Sequence, residues 1–184
     1  MFKRFIVATA CLAATAAVAQ PEPAAAPEPV RAPADHRVAM DTLGVGEITY
    51  ECREKKDAAG QYEWVFVAPS ATLYDMQKRT VGRYYGGPTW ESNDGSKVTG
   101  KQVAVAPSPN ARSIPLQLVK AEPAMGSGAL SGVSYIQRLD TKAGVAPASA
   151  CDASAKGRQE KVAYEARYVF YRPRPCKNVV IICG

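Results

Sequence analysis

The sequence predicts an all-β, single-domain protein, built either as an antiparallel β-sandwich or as a partly closed β-barrel. Three observations predict it. Apolar and polar residues alternate with period two in several separate stretches. Those stretches are short and evenly spaced, and Gly, Pro and Asp-Gly separate them. Helical patterning is scarce: Ala150 to Val162 holds some helix formers but little apolar stripe. Many short strands with such punctuation are the pattern of sandwiches and barrels alike, and the pattern does not choose between them.

The strands follow in chain order. In Glu47 to Arg53, Ile48, Tyr50 and Cys52 share one face, while Glu47, Thr49, Glu51 and Arg53 share the other. Tyr62 to Val67 is an aromatic and β-branched run. Ala71 to Tyr74 and Thr80 to Tyr85 flank a hairpin loop at Asp75 to Lys78. Thr89 to Ser92 and Lys97 to Val105 flank Asn93 to Ser96, whose Asp94-Gly95 suits the left-handed dihedrals of a tight hairpin turn. Ile114 to Lys120, Val133 to Asp140 and Val162 to Tyr171 complete the set; in the last, Val162, Tyr164, Ala166, Tyr168 and Phe170 line one face. Val179 to Cys183 reads as a short terminal strand. The loops Ala106 to Arg112, Ala121 to Ser131 and Ala143 to Lys161 are long and rich in small residues, so a binding role falls more naturally on loops than on strands.

Ahead of the domain, Met1 to Ala19 has the build of a secretory signal. Lys3 and Arg4 make its positive start, Phe5 to Ala17 its apolar run, and Ala17-Val18-Ala19 its small-x-small cleavage site. A lipoprotein site at Cys11 is the competing reading, but too few apolar residues separate it from the charges. No transmembrane segment is expected once the signal is removed. Gln20 to His36 is rich in Pro and Ala, carries nothing large to bury, and reads as a disordered, semi-rigid tether. The domain proper is then 37–171, and 172–184 is an extension with its own Cys pair. The expected location is the periplasm or the exterior. There Cys52, Cys151, Cys176 and Cys183, even in number, form two disulfides. Three connectivities are open, and Cys52–Cys151 with Cys176–Cys183 is the favoured one.

Composition removes chemistry. The 184 residues carry 23 basic and 17 acidic side chains, a formal charge of +6 that falls to +4 without Lys3 and Arg4. Basic residues are spread along the chain, so no stripe of charge argues for nucleic acid. One His, His36, cannot build a multi-His metal site, and no Cys-x-x-Cys pair exists. No metal and no cofactor is expected.

The string Val81 to Glu91, which includes Gly86-Gly87-Pro88-Thr89-Trp90, is distinctive, as is the Asp94-Gly95-Ser96 that follows. So are Ile136 to Thr141, Gly144 to Pro147 and Cys151-Asp152. With Tyr50, Cys52, Trp64 and Tyr164 to Tyr171, these residues resemble the family filed as domain of unknown function 3455, over about Leu43 to Tyr171. The resemblance implies an exported bacterial or secreted fungal protein and attaches no secure activity. The family's turn usually reads Gly-x-His-x-x-Gly-Pro-Thr-Trp, and here Tyr84 takes the His position. A phenol titrating near 10 is a poor base at neutral pH. Some relatives carry a malate dehydrogenase label, which finds no support here: Gly44-Val45-Gly46 runs on into a strand rather than a helix.

The candidate ligand-binding residues are Arg83, Tyr84, Tyr85, Trp90, Glu91, Asp94, Arg138 and Asp140. Aromatic faces beside a guanidinium and carboxylates suit a polyhydroxylated or otherwise polar ligand. Simpler readings stand beside each: Trp90 as a core residue, Asp94 as an ordinary turn acid, Glu91 as a solvated strand position. Arg138 and Asp140, two apart in a strand, are expected on one face, with Arg138 free to hold a ligand carboxylate or hydroxyl. No catalytic residue is assigned. The expected function is a non-catalytic binding or structural module of the cell envelope, its partner an envelope polysaccharide or small polar ligand. The alternative is a hydrolase using two carboxylates among Glu91, Asp94 and Asp140 on a saccharide-type substrate.

Overall fold

The computed structural model describes residues 26–175. The signal, Cys176, Cys183 and the terminal strand lie outside them. Eight strands form one antiparallel sheet that closes on itself: β1 (His36–Lys55), β2 (Ala58–Tyr74), β3 (Thr80–Tyr85), β4 (Thr89–Ser92), β5 (Lys97–Ala106), β6 (Leu116–Ala121), β7 (Tyr135–Ala143) and β8 (Gln159–Pro173). Each strand pairs with the next, and β8 returns to β1 along most of its length, from His36↔Pro173 to Glu51↔Gln159. The ring is uneven. β1 has 20 residues and β2 has 17, whereas β4 has four. Of the two architectures the pattern allowed, closure into a barrel is the one adopted; β3 meets β2 only over Ser70 to Tyr74, so the Ala58 to Pro69 part of β2 projects from the ring on β1.

Alternation decides what fills the ring. Ile48 and Tyr50 from β1, Tyr84 from β3, Trp90 from β4, Ile136 from β7 and Tyr164, Ala166, Tyr168 and Phe170 from β8 form one buried cluster. Tyr84 stacks on Trp90 with centroids 4.8 Å apart, and Tyr168 meets Trp90 edge-on at 5.8 Å. Gly44 makes room for this packing. A Cβ there would come within 2.6 Å of the Tyr168 ring.

The tether reading fails for residues 26–36. Glu28–Val30 make a 3-10 turn, and His36 already belongs to β1. Val30 is fully buried on the outside of the ring, in a second small core with Ala106, Leu116 and Leu118. Gln137, outward-facing on β7, donates its side-chain amide to the Val30 carbonyl at 2.5 Å. Prolines deny this segment ladder hydrogen bonds, but Val30, with Ala26 beside it, and the Gln137 amide dock it. Val30→Ala is expected to lower stability by about 1–2 kcal/mol in urea unfolding, the value of the lost methyl groups; an unchanged midpoint would mean the segment is not docked in solution. At the other terminus β8 runs past Tyr171 to Pro173.

The two ends of the barrel differ. At one end the loop 122–134 folds across the opening and sends Leu130 and Val133 into the central core, where they are 1% and 4% exposed. At the opposite end stand the β3–β4 turn, the 107–115 loop and the 144–158 loop. The β3–β4 reversal uses Gly87 at φ +114, as Gly-Gly-Pro predicts. There the 107–115 loop sends Ile114 into the same core, and the ring is also tied from the side. Cys52 and Cys151 are disulfide-bonded with Cα atoms 5.5 Å apart, and the Tyr50 hydroxyl donates to the Gly144 carbonyl at 2.8 Å.

Candidate functional site: the open mouth of the barrel

A cavity of about 370 Å³ opens at this second end, lined by Phe66, Pro69, Tyr84, Gly87, Pro88, Gln117 and Arg138. Its geometry follows from register. Ile136 points into the core, so Arg138, two residues on, points the same way, beside Gln117 of β6 and Tyr168 of β8. Tyr84 is 6% exposed and forms the floor. Phe66, 53% exposed, forms an apolar wall and meets Tyr50 edge-on at 6.2 Å.

The Arg138 guanidinium donates Nε and Nη2 to one acceptor, the Pro115 carbonyl, at 3.1 and 2.9 Å. That carbonyl is held in place by the 107–115 loop. The buried Thr141 hydroxyl donates to the Ile114 carbonyl at 2.6 Å, and the Asn110 amide donates to the Thr141 carbonyl at 2.8 Å. Among the described residues, no carboxylate forms an ion pair with Arg138. Its charge reaches the phenols around it. Burial raises the pKa of Tyr50, Tyr84, Tyr164 and Tyr168, and Arg138 partly offsets that rise at each. All four stay protonated at neutral pH; of them Tyr84 lines the mouth, while the Tyr50 hydroxyl is spent on the Gly144 carbonyl and those of Tyr164 and Tyr168 meet in the core.

The other expected site residues are not brought together here. Trp90 is 1% exposed and packs in the core, so it cannot be a platform for a ligand; its indole N–H has no hydrogen-bond partner among the described residues. Arg83, Tyr85 and Glu91 face outward, because strand neighbours of Tyr84 and Trp90 must. There Glu91 accepts from Arg83 at 3.0 Å and from the Tyr85 hydroxyl at 2.7 Å, with Lys97 at 3.3 Å. These partners, Tyr85 foremost, hold its carboxyl below the usual range. Asp140 also departs from expectation. β7 is irregular between Leu139 and Lys142, and Asp140 takes φ +48. The alternation breaks there, so Asp140 turns away from Arg138 and sits 3.6 Å from Arg167, itself paired with Asp41.

Asp94 lies at the plugged end and is more than a turn residue. Its carboxylate accepts from the Ser96 hydroxyl at 2.6 Å, the Ser96 N–H at 2.9 Å and the Ala129 N–H at 2.6 Å. The Ser96 hydroxyl in turn accepts from the Leu130 N–H at 3.1 Å. Asp94-Gly95-Ser96 therefore clamps the loop that seals this end. A Cβ on Gly128 would lie 2.4 Å from the same carboxylate. The Ser96 hydroxyl, then the Ala129 amide, lower the Asp94 pKa to about 2. A carboxyl depressed in the folded state stabilises it above the unfolded pKa and ceases to as pH falls through the folded value. Asp94→Asn is therefore expected to destabilise the protein at neutral pH. The gap to wild type in urea unfolding should close on acidification between about pH 4 and about pH 2, and a gap independent of pH would contradict the clamp.

Neither Glu91 nor Asp94 has the raised pKa of a general acid, and each is saturated with donors. Among the described residues no cluster of His, Cys, Asp and Glu is arranged to hold a metal ion. Phe66, Pro69 and Gln117 escaped the sequence reading. For Phe66 the one trace was its place in the row Tyr62, Trp64, Phe66 on one face of a strand.

Fold and site together define an antiparallel eight-stranded barrel, plugged at one end and open onto an arginine-walled recess at the other. The chain belongs to the family described as "Protein of unknown function (DUF3455)", whose model matches residues 33–172. No curated protein and no solved structure matches it. Tyr84 is the floor of the recess.

Proposed function

We propose that this protein is an exported, non-catalytic binding module of the cell envelope that takes a small polar ligand in the open mouth of its barrel. The observation that carries the reading is Arg138, a cation without an ion-pair partner among the described residues, fixed at the wall of a concave site. Barrel mouths are preferred places for ligands, and such sites combine apolar walls with a few fixed polar groups. The Cys52–Cys151 disulfide supports export, because such bonds persist in oxidising compartments. The signal-like Met1 to Ala19 supports it independently. A hydrolase acting through paired carboxylates draws no support from Glu91 or Asp94, whose oxygens are committed to holding other parts of the fold.

The test is a titration of the 15N-labelled mature protein with envelope-type saccharides, amino sugars, small acids and their amides. The expected result is a saturable set of amide shifts around Gly87, Gln117 and Arg138 that spares residues 126–131. Shifts that avoid the mouth, or no saturable shift with any member of the panel, would overturn the reading.

A further inference from the structure

The mouth also specifies the kind of ligand, an inference that rests on the binding reading above. We propose that its ligand is a small carboxylate carried on an apolar or aromatic body. A guanidinium has five N–H donors in a planar fork. Here Nε and one Nη2 hydrogen are spent on the Pro115 carbonyl, and the Nη1 hydrogens and the second on Nη2 find no carboxylate among the described residues. The Pro115 contact orients the fork without neutralising it. An incoming carboxylate would supply the missing charge through charge-assisted hydrogen bonds, about twice as strong as neutral ones. Gln117 stands beside Arg138 and has its amide N–H₂ turned to Gln102 at 2.7 Å. Its carbonyl oxygen is an acceptor for a hydroxyl or amide on the ligand.

The rest of the wall is not built for a saccharide. Phe66, Pro69 and Pro88 present carbon, and Phe66 is more than half exposed although it shares the inward face with Tyr50. An apolar body lying against Phe66 would cover surface that the fold leaves in water. The volume, about 370 Å³, is at the small end of ligand sites and suits one ring or a short branched chain. A charge at one side and carbon at the other define an amphiphilic anion, held through its carboxylate by Arg138.

Calorimetric titration with benzoate, its neutral isostere benzamide, and acetate, which lacks the body, separates the two halves of the proposal. Wild type should bind benzoate saturably, about tenfold or more tightly than either comparator. Arg138→Gln should bring benzoate down to the benzamide level, and Arg138→Lys should restore part of the difference. Phe66→Ala, a change at an exposed side chain that leaves the core intact, should weaken benzoate and benzamide alike while sparing acetate. Benzamide binding as tightly as benzoate would overturn the carboxylate, and acetate binding as tightly would overturn the apolar body; in both cases the mouth remains a binding site. Absence of binding by all three overturns this proposal alone if the wider panel still shifts Gly87, Gln117 and Arg138. It overturns both readings if that panel is silent too.

Discussion

Trp90→Ala is expected to cost about 3–5 kcal/mol of stability, the range for removing a fully buried large aromatic. That would lower the melting temperature by on the order of 10 °C. Trp90 stacks on Tyr84, meets Tyr168 and Phe170 edge-on, and is 1% exposed. Its removal opens a void that neighbours anchored on β3 and β8 cannot fill. Trp90→Phe should cost clearly less, since it keeps most of the packing and deletes an indole N–H that has no partner among the described residues. Thermal unfolding of the two variants checks this. A loss below about 1 kcal/mol for Trp90→Ala would mean that the residue lies on the surface after all.

The second large effect belongs to the disulfide. Cys52 and Cys151 are 99 residues apart in sequence, and cross-linking so long a loop restricts the unfolded chain by roughly 4–5 kcal/mol in chain-entropy models. Replacing both by Ser is expected to cost about 2–5 kcal/mol in urea unfolding. The variant should nevertheless fold. Backbone bonds join Cys52 to Gly157 and Arg158 at 2.9 Å, and the Trp64 indole donates to the Ser149 carbonyl at 2.9 Å. Loss of the barrel itself, seen as loss of the near-ultraviolet aromatic signal in water, would contradict this division of labour.

The strands were legible because each is a local pattern. The register-bearing face of β8 and the β2–β3 and β4–β5 hairpins stand where alternation and turn chemistry put them. Closure was not legible, since β1 meets β8 through pairs more than a hundred residues apart. The docking of Val30 depends on one apolar residue among prolines, too weak a signal for any periodicity. The candidate site was half legible. Tyr84 and Arg138 do meet at the mouth. Arg83, Tyr85 and Glu91 sit one residue away from inward positions and so fall on the opposite face of the sheet. Asp140 was lost to an irregularity that no alternation rule foresees, and Asp94 acts through contacts some 35 residues distant.

Solvent paramagnetic relaxation with a neutral gadolinium chelate compares the two ends of the barrel directly. If the Arg138 recess is open and the opposite end sealed, the Arg138 Nε–H and the Phe66 ring should relax strongly while the Leu130 and Val133 methyl groups stay unaffected. Strong relaxation of Leu130 and Val133 together with silence at Arg138 would contradict the account.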